Sequence, residues 1–211
     1  MPRRNRVTPR GEVVATPARG TWIGNRGCIH DAEGRIVRPF RVRRWIVCAL
    51  EFKGRRREIM RPGRWTELFF LDEATALAAG HRPCAECRRP AFDAYVAAWK
   101  AGNPALVPPG RLTVAVIDDA LHRKRASPPE KAPLDGLPDG VFIALPGDPR
   151  PLLLHGGALL AWSDAGYTER IAKPLSATVE VLTPRSTVNA IRAGYRPHVH
   201  FSAFEPSSIC G

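Results

Sequence analysis

Two cysteines separated by two residues are the part of this sequence best suited to chemistry. Cys84 and Cys87 form a C-x-x-C pair within "GHRPCAECRRP". Such a pair in a turn is the usual way in which one segment offers two thiolates to Zn²⁺. A redox pair and two unrelated buried cysteines are the alternatives. We favour zinc, because a thioredoxin-like pair follows a strand and opens a helix, whereas this pair follows a predicted helix.

Tetrahedral zinc needs two further soft ligands, and the sequence offers few. The chain has five cysteines, among them Cys48 in an apolar run and Cys28 in "GNRGCIHD". We predict a four-cysteine site made of Cys28, Cys48, Cys84 and Cys87, with His30 as the alternative to Cys28. An odd number of cysteines in a chain that we expect to be cytoplasmic argues against a disulfide framework.

Two clusters in the second half of the chain could act as acid and base. Asp118 and His122 are four residues apart in a predicted helix, with Arg125 one turn further on, so they share a face. His198 and His200 would share one side of a predicted strand. An imidazole beside a carboxylate could act on a phosphodiester or glycosidic bond. The alternatives are a solvated helix face and surface histidines on an edge strand. The candidate catalytic residues are Asp118, His122, His198 and His200. Whether the protein is an enzyme stays open.

Local sequence patterns predict the elements that carry these residues. Periodicity and capping residues predict helices at 71–80, 89–102, 114–125 and 186–195. The first has Asp72 as its N-cap and Gly80 as its stop. The apolar run 44–52 is predicted to be a buried strand, and it carries Cys48. The C-x-x-C pair would therefore lie in the turn between the first two helices. From residue 140 onward the sequence is rich in β-formers, and its tail "RPHVHFSAF" alternates like a last strand.

These elements predict an α+β fold with two lobes. A length of 211 residues with 44% hydrophobic content is enough to bury a core. Residues 1–103 would form a zinc-stapled basic lobe, and residues 111–211 a β-rich lobe with one or two helices. The segment 102–110, "GNPALVPPG", is the candidate linker because it is rich in Pro and Gly.

The positive charge of the chain is confined to its first third. The net charge is +12, and residues 1–64 hold 17 of the 32 basic residues but only 5 of the 20 acidic ones. A basic segment on a balanced body suggests a polyanion partner, and arginine suits phosphate. The alternative is a basic surface without such a partner. The predicted phosphate contacts are Arg41, Arg43, Arg44, Arg55, Arg56, Arg57, Arg61 and Arg64.

The segment "LDEATALAAGHRPCAECRR" resembles the end of the zinc domain that opens the bacterial Ada proteins, the methylphosphotriester-DNA repair family. The resemblance covers residues 69–88. It consists of a Phe-rich strand, an Ala-rich helix and an "AAG-x-RPC-x-x-C" turn, with His81 where the family usually has an aromatic residue. Cys84 and Cys87 match the family's downstream pair of zinc ligands. The same block resembles a set of bacterial proteins that share "GNRG", "ELFFLDEA" and "LTP" segments.

The resemblance implies a zinc-supported scaffold that faces DNA. The family's upstream ligands form a C-x-x-x-C pair that includes the methyl acceptor, and this sequence has no pair with that spacing. Cys48 and Cys28 are twenty residues apart instead. The family's helix-turn-helix and alkyltransferase parts also have no counterpart. We therefore expect the scaffold rather than methyl transfer.

Together these observations predict a zinc-containing nucleic-acid-binding protein linked to DNA repair or modification, with DNA as the favoured partner. One alternative is a nucleic-acid-processing enzyme that uses the histidines of the second lobe. Another is a regulatory or interaction module whose zinc is only structural. No apolar run reaches the 18 residues that a membrane span needs, and the basic N-terminal segment has no apolar run behind it. We expect no membrane partner and a cytoplasmic location.

Overall fold

A computed structural model describes residues 1–54, 58–125 and 127–204. Within these residues the chain forms two six-stranded sheets and four α-helices, which confirms a mixed α+β fold. The helices are α1 (Glu73–Ala78), α2 (Arg89–Gly102), α3 (Val114–Arg125) and α4 (Arg185–Arg192). The strands are β1 (Arg4–Val7), β2 (Val13–Ala15), β3 (Trp22–Asn25), β4 (Ile46–Cys48), β5 (Leu68–Phe70), β6 (Arg82–Pro83), β7 (Glu130–Pro133), β8 (Phe142–Leu145), β9 (Asp148–His155), β10 (Ala158–Ser163), β11 (Gly166–Ala172) and β12 (Thr178–Val181).

The first sheet brings together strands that are far apart in the sequence. Its order is β2-β1-β5-β3-β4-β6. The pairs β1–β5 and β4–β6 are parallel, and the other neighbours are antiparallel. In the β4–β6 pair, Val47 lies opposite Pro83. The next residues along the two strands, Cys48 and Cys84, are therefore brought side by side.

The second sheet is antiparallel throughout, in the order β11-β10-β9-β8-β12-β7. One face packs against α2, α3 and α4 around the buried side chains of Tyr95, Trp99, Ile117 and Ile191. The apolar stripe of α2 thus contributes to the core of the second sheet. Helix α2 does so although it follows the C-x-x-C turn, which adjoins the first sheet. The short α2–α3 connection contains a 3₁₀ turn at Pro104–Leu106.

The short helix α1 lies at the centre of the molecule, and all six of its residues are buried. Ala76 packs into the core of the first sheet. Leu77 belongs to the core beneath α2, α3 and α4. Ala74 and Ala78 pack with Phe142 of the second sheet. Because the helix consists mainly of small residues, three apolar clusters can approach it at once.

The predicted helices agree closely with the structure. The bounds of α2 and α3 match the predicted ones, and α1 lies within its predicted range with Asp72 as the N-cap. The Asp72 carboxylate accepts a hydrogen bond from the Thr75 N–H at 2.8 Å. The predicted strand 44–52 is shortened to β4. The fourth helix is also shorter than predicted, and it begins after Pro184 without a side-chain cap.

The predicted last strand over "RPHVHFSAF" is wrong. Residues 196–200 run without a strand partner, and a short 3₁₀ helix follows at Phe201–Ala203. The backbone N–H of His198 donates to the Glu73 carboxylate and that of His200 to the Asp72 carboxylate, each at 3.0 Å. Side chains at the start of α1 thus take the place of a sheet ladder.

Candidate metal centre

Three of the four predicted thiol ligands come together. The sulfur atoms of Cys48, Cys84 and Cys87 all lie within 4.8 Å of one another. Tetrahedral zinc with Zn–S bonds of about 2.3 Å places its sulfurs about 3.8 Å apart. The first two cysteines are buried and the third is half-buried, and none of them forms a disulfide. The group therefore has the size and the donor type to hold a soft metal ion.

Strand pairing and a tight turn hold the three thiols in place. The Cys84 N–H donates to the Val47 carbonyl at 2.9 Å, which ties the end of β6 to β4. The turn closes where the Arg88 N–H reaches the Cys84 carbonyl at 3.2 Å. Helix α2 begins at the next residue, with Pro90 in its first turn. An apolar wall surrounds the group, made of Ile23, Ile46, Trp65 and Phe69.

Hydrogen bonds within the group favour thiolates at Cys84 and Cys87. The Glu86 N–H donates to the Cys84 sulfur at 3.4 Å. The Cys48 thiol and the N–H groups of the turn lower the pKa of Cys84 to about 5. The Cys48 thiol also lowers the pKa of Cys87, with help from the Ala49 N–H. The same thiol contacts raise the pKa of Cys48. A bound metal ion would replace the proton that Cys48 shares with its neighbours.

Neither Cys28 nor His30 joins this group. The Cys28 sulfur lies 3.8 Å from the His30 carbonyl oxygen. The His30 ring is held at both nitrogens, with Nδ1 2.5 Å from the Thr66 hydroxyl and Nε2 3.3 Å from the Arg61 carbonyl. Within the described ranges, the metal-ligating group therefore has three members, and the predicted fourth ligand is not brought to it.

The candidate acid–base residues of α3 contact the first part of the chain. Asp118 is buried and accepts two hydrogen bonds from the Arg82 guanidinium, at 2.8 and 2.9 Å. The Arg125 guanidinium donates to the Gly80 carbonyl at 3.1 Å. The His122 ring meets the Phe40 ring edge-on at 5.1 Å. This polar helix face is therefore used for packing and ion pairing.

The two C-terminal histidines lie in different environments. His198 is exposed, and its Nδ1 accepts a long hydrogen bond of 3.4 Å from the Trp22 indole N–H. His200 is buried, and its Nδ1 lies 2.8 Å from the Ser202 hydroxyl. Burial lowers the pKa of His200. The two rings thus do not present a matched pair on one strand face.

Five of the predicted phosphate-binding arginines are exposed in the described part of the chain. Arg41, Arg43 and Arg44 lie just before β4, and Arg61 and Arg64 lie before β5. Arg55, Arg56 and Arg57 lie outside the described residues. Two apolar side chains, Phe40 and Val42, are exposed within the first group. Arg43 makes an exposed ion pair of 3.3 Å with Asp119 and Arg61 one of 3.9 Å with Glu58, so two of the five already have an acidic neighbour.

The structure also contains buried charges that the sequence did not single out. Arg26, Arg82 and Arg88 are each less than a tenth exposed, and so is Glu73. Arg88 pairs with Glu73 at 2.8 Å. Nothing in the local sequence marks an arginine as buried, because burial depends on partners from distant segments.

Comparison with known proteins gives no relative. No family model matches the chain, and no curated protein or solved structure does. Within the described ranges, no helix is both long enough and apolar enough to span a bilayer.

Proposed function

We propose that the protein binds one Zn²⁺ ion through Cys48, Cys84 and Cys87. The observation that carries this proposal is the approach of the three sulfurs to within 4.8 Å. Thiolates are soft ligands that select zinc over the hard cations. The resemblance of residues 69–88 to the Ada zinc domain supports the same metal. Three protein ligands leave the fourth position to water or to an outside ligand, an arrangement that zinc sites use when they stay open.

Metal analysis of purified protein tests this proposal. We expect about one zinc per chain, with the metal lost from the Cys84→Ser/Cys87→Ser double variant. Cys28→Ser is the matched control, because Cys28 is a thiol outside the group, and it should keep its zinc. Full metal content in the double variant would contradict the proposed site.

We further propose that the zinc centre supports nucleic-acid binding, in a role linked to DNA repair or modification. The segment that carries Arg41, Arg43 and Arg44 leads directly into β4, and β4 ends at Cys48. A metal ion at Cys48 would therefore anchor the end of the basic segment. The exposure of these arginines and the charge excess of residues 1–64 support phosphate binding. The exposed Phe40 beside them offers a ring on which a base could stack.

The salt dependence of binding to a DNA duplex tests this part. Each neutralised phosphate releases counterions and adds about 0.9 to the log–log slope. We expect roughly three to six contacts by that rule, and a slope lower by two or more in the Arg41→Glu/Arg43→Glu/Arg44→Glu variant. The loss should be similar for all sequences, because phosphate contacts carry no sequence information.

A second triple variant controls for net charge. Arg111, Arg170 and Arg192 are exposed and lie outside the basic segment, and reversing them changes the net charge by the same amount. This variant should bind nearly as well as the wild type. If wild-type protein shows no affinity for any nucleic acid at low salt, the nucleic-acid proposal fails, and an interaction module with structural zinc is favoured.

A further inference from the structure

A cleft of about 440 Å³ lies between the first part of the chain and the second sheet. Its lining includes Arg10, Arg26 and Trp45 from the first part of the chain, and Arg125 and Leu182 from the second. The cleft does not include the three metal-ligating cysteines. Its volume is within the range of sites for small ligands.

The cleft is strongly cationic. Arg10, Arg26, Lys124 and Arg125 line it, and the carboxylate of Glu180 is the acidic group among its described lining residues. Glu180 pairs with Arg10 at 3.2 Å. Lys124 pairs at 2.7 Å with Glu130, which lies outside the cleft lining. No carboxylate in the described part of the chain forms an ion pair with Arg26. Arg125 is different, because the negative charge of Asp118 acts on it and its nitrogens donate to the carbonyls of Gly80 and Arg43.

Arg26 is the most deeply buried of these basic side chains, with only 2% of its surface exposed. Its guanidinium lies 4.0 Å from the Trp45 ring, and its Nη1 donates to the Gly11 carbonyl at 2.9 Å. Its Nη2 is buried and has no hydrogen-bond partner among the described residues. Burial and the nearby Arg125 lower the pKa of Arg26 to about 9. A buried cation without a counter-ion is costly, and an incoming anion would lower that cost.

The neighbouring imidazole of His81 does not compensate the positive charge of the cleft. His81 is fully buried, and its Nε2 lies 3.4 Å from the Arg26 Nε. Burial, together with the charges of Arg26 and Arg125, holds the pKa of His81 well below its usual range. His81 therefore stays neutral and accepts from Arg26, and it cannot serve as a counter-ion.

We propose that this cleft binds the phosphate group of a phosphomonoester, with Arg26 as the buried anchor. The positive charges of Arg26, Arg10 and Arg125 favour a doubly charged phosphate, and the unpartnered Nη2 of Arg26 can donate to one of its oxygens. The prolines Pro9, Pro39, Pro129 and Pro184 offer apolar walls for the body of the ligand. The proposal does not rest on nucleic-acid binding, because it uses side chains other than those of Arg41, Arg43 and Arg44. The contact of the cleft with that segment is through backbone, where the Arg43 carbonyl accepts from Arg125 at 2.8 Å.

Titration calorimetry with inorganic phosphate and with deoxythymidine 5′-monophosphate tests the proposal. Wild-type protein should bind the nucleotide, and Arg26→Met should weaken its binding by about tenfold or more, because a hydrogen bond to a charged group is lost. Arg10→Met lies nearer the surface, so its fold is not at risk, and binding should weaken several-fold. Arg38→Met removes one exposed arginine of the basic segment outside the cleft and should leave affinity unchanged.

The results of these titrations decide whether the cleft binds phosphate and which kind of molecule carries the phosphate. Absence of phosphate binding by the wild type, or unchanged affinity in both Arg26→Met and Arg10→Met, would overturn the proposal. Displacement of the nucleotide by a 5′-phosphorylated oligonucleotide, but not by its 5′-hydroxyl twin, would identify a nucleic-acid end as the source of the phosphate. Failure of both strands to displace it would identify a small phosphomonoester. The Arg41→Glu/Arg43→Glu/Arg44→Glu variant should keep its phosphate affinity even if it no longer binds DNA.

Discussion

At the scale of single residues, buried charges hold together segments that are distant in the sequence. The carboxylate of Glu73 accepts hydrogen bonds from the Tyr195 hydroxyl at 2.5 Å and from the His198 N–H at 3.0 Å, and it pairs with Arg88. Asp118 pairs with Arg82 in the same way. Each pair lies in a region from which water is excluded, so each partner depends on the other.

The Asp118–Arg82 pair allows a test of whether Asp118 stabilises the fold, as an alternative to a catalytic role. Replacing Asp118 with Asn leaves the Arg82 charge buried and uncompensated, and this should lower the free energy of unfolding by about 3–5 kcal/mol. Urea denaturation measures the loss. Asp93→Asn is the control, because its pair with Arg89 is exposed and should contribute less than about 0.5 kcal/mol. Equal stability of the two variants would contradict a structural role for Asp118.

At the scale of elements, a glycine sets the distance between the strand that carries Cys48 and its neighbour. A Cβ atom on Gly24 in β3 would lie 2.2 Å from the Ile46 carbonyl oxygen in β4 and 3.0 Å from the Phe70 ring. The first contact is with backbone, which cannot move without shifting β4. The close approach of β3 and β4 therefore requires glycine at this position.

Gly24→Ala should consequently affect both stability and metal binding. We expect a loss of about 1–3 kcal/mol in the free energy of unfolding, typical of overpacking, together with weaker zinc binding because the Cys48 sulfur moves with β4. Thermal unfolding and competition with a chromophoric chelator measure the two effects. Gly136→Ala is the control, since a Cβ there meets nothing within 4 Å. Wild-type zinc affinity in Gly24→Ala would show that the position of β4 does not control the site.

The elements also show what the sequence could and could not predict. The bounds of α2 and α3 follow from local periodicity and from stop residues, which act over a few positions. Strand β7 has no strand signal in the sequence, because "EKAP" is polar and contains Pro133. Pro133 is tolerated because β7 is an edge strand. The place of β7 at the edge is decided by its pairing with β12, which lies far along the chain. Strand β11 was missed for a similar reason, because it lies at the other edge and most of its residues are exposed.

The candidate site was predictable to the extent that its signal is local. The C-x-x-C spacing marked Cys84 and Cys87, and the apolar strand context marked Cys48. The position of Cys28 depends on how the loop before β4 closes, which no short pattern fixes. The cationic cleft had no signal in the sequence, since Arg26 and Arg125 are ninety-nine residues apart and only the tertiary fold brings both to one ring, that of Trp45.

At the scale of the whole molecule, the two sheets share elements rather than meeting at a simple interface. The Asp72 carboxylate at the start of α1 accepts from the Tyr167 hydroxyl of β11 at 2.7 Å and from the His200 N–H. Helix α2 follows the metal site and yet packs into the core of the second sheet. Disruption of either sheet would therefore expose apolar surface that belongs to the other.

We expect the chain to unfold in one cooperative transition. Removal of zinc by a chelator should lower the unfolding temperature of the whole molecule, with circular dichroism and tryptophan fluorescence changing together. A fragment of residues 1–103, the first predicted lobe, should not fold alone, because it exposes the buried faces of Tyr95 and Trp99. Two separate transitions, or a folded fragment, would instead support independent lobes divided at the predicted linker, residues 102–110.

The buried position of α1 has a consequence for amide hydrogen exchange. A helix of six residues is normally too short to persist, and its amides would exchange with solvent deuterium almost at once. Here the helix contacts three apolar clusters, so its hydrogen bonds open only when all three separate. The amides of Ala76 and of the C-cap residue Ala79, which donate to the carbonyls of Asp72 and Thr75, should therefore be among the slowest to exchange in the chain. Their exchange rate would report the free energy of global unfolding.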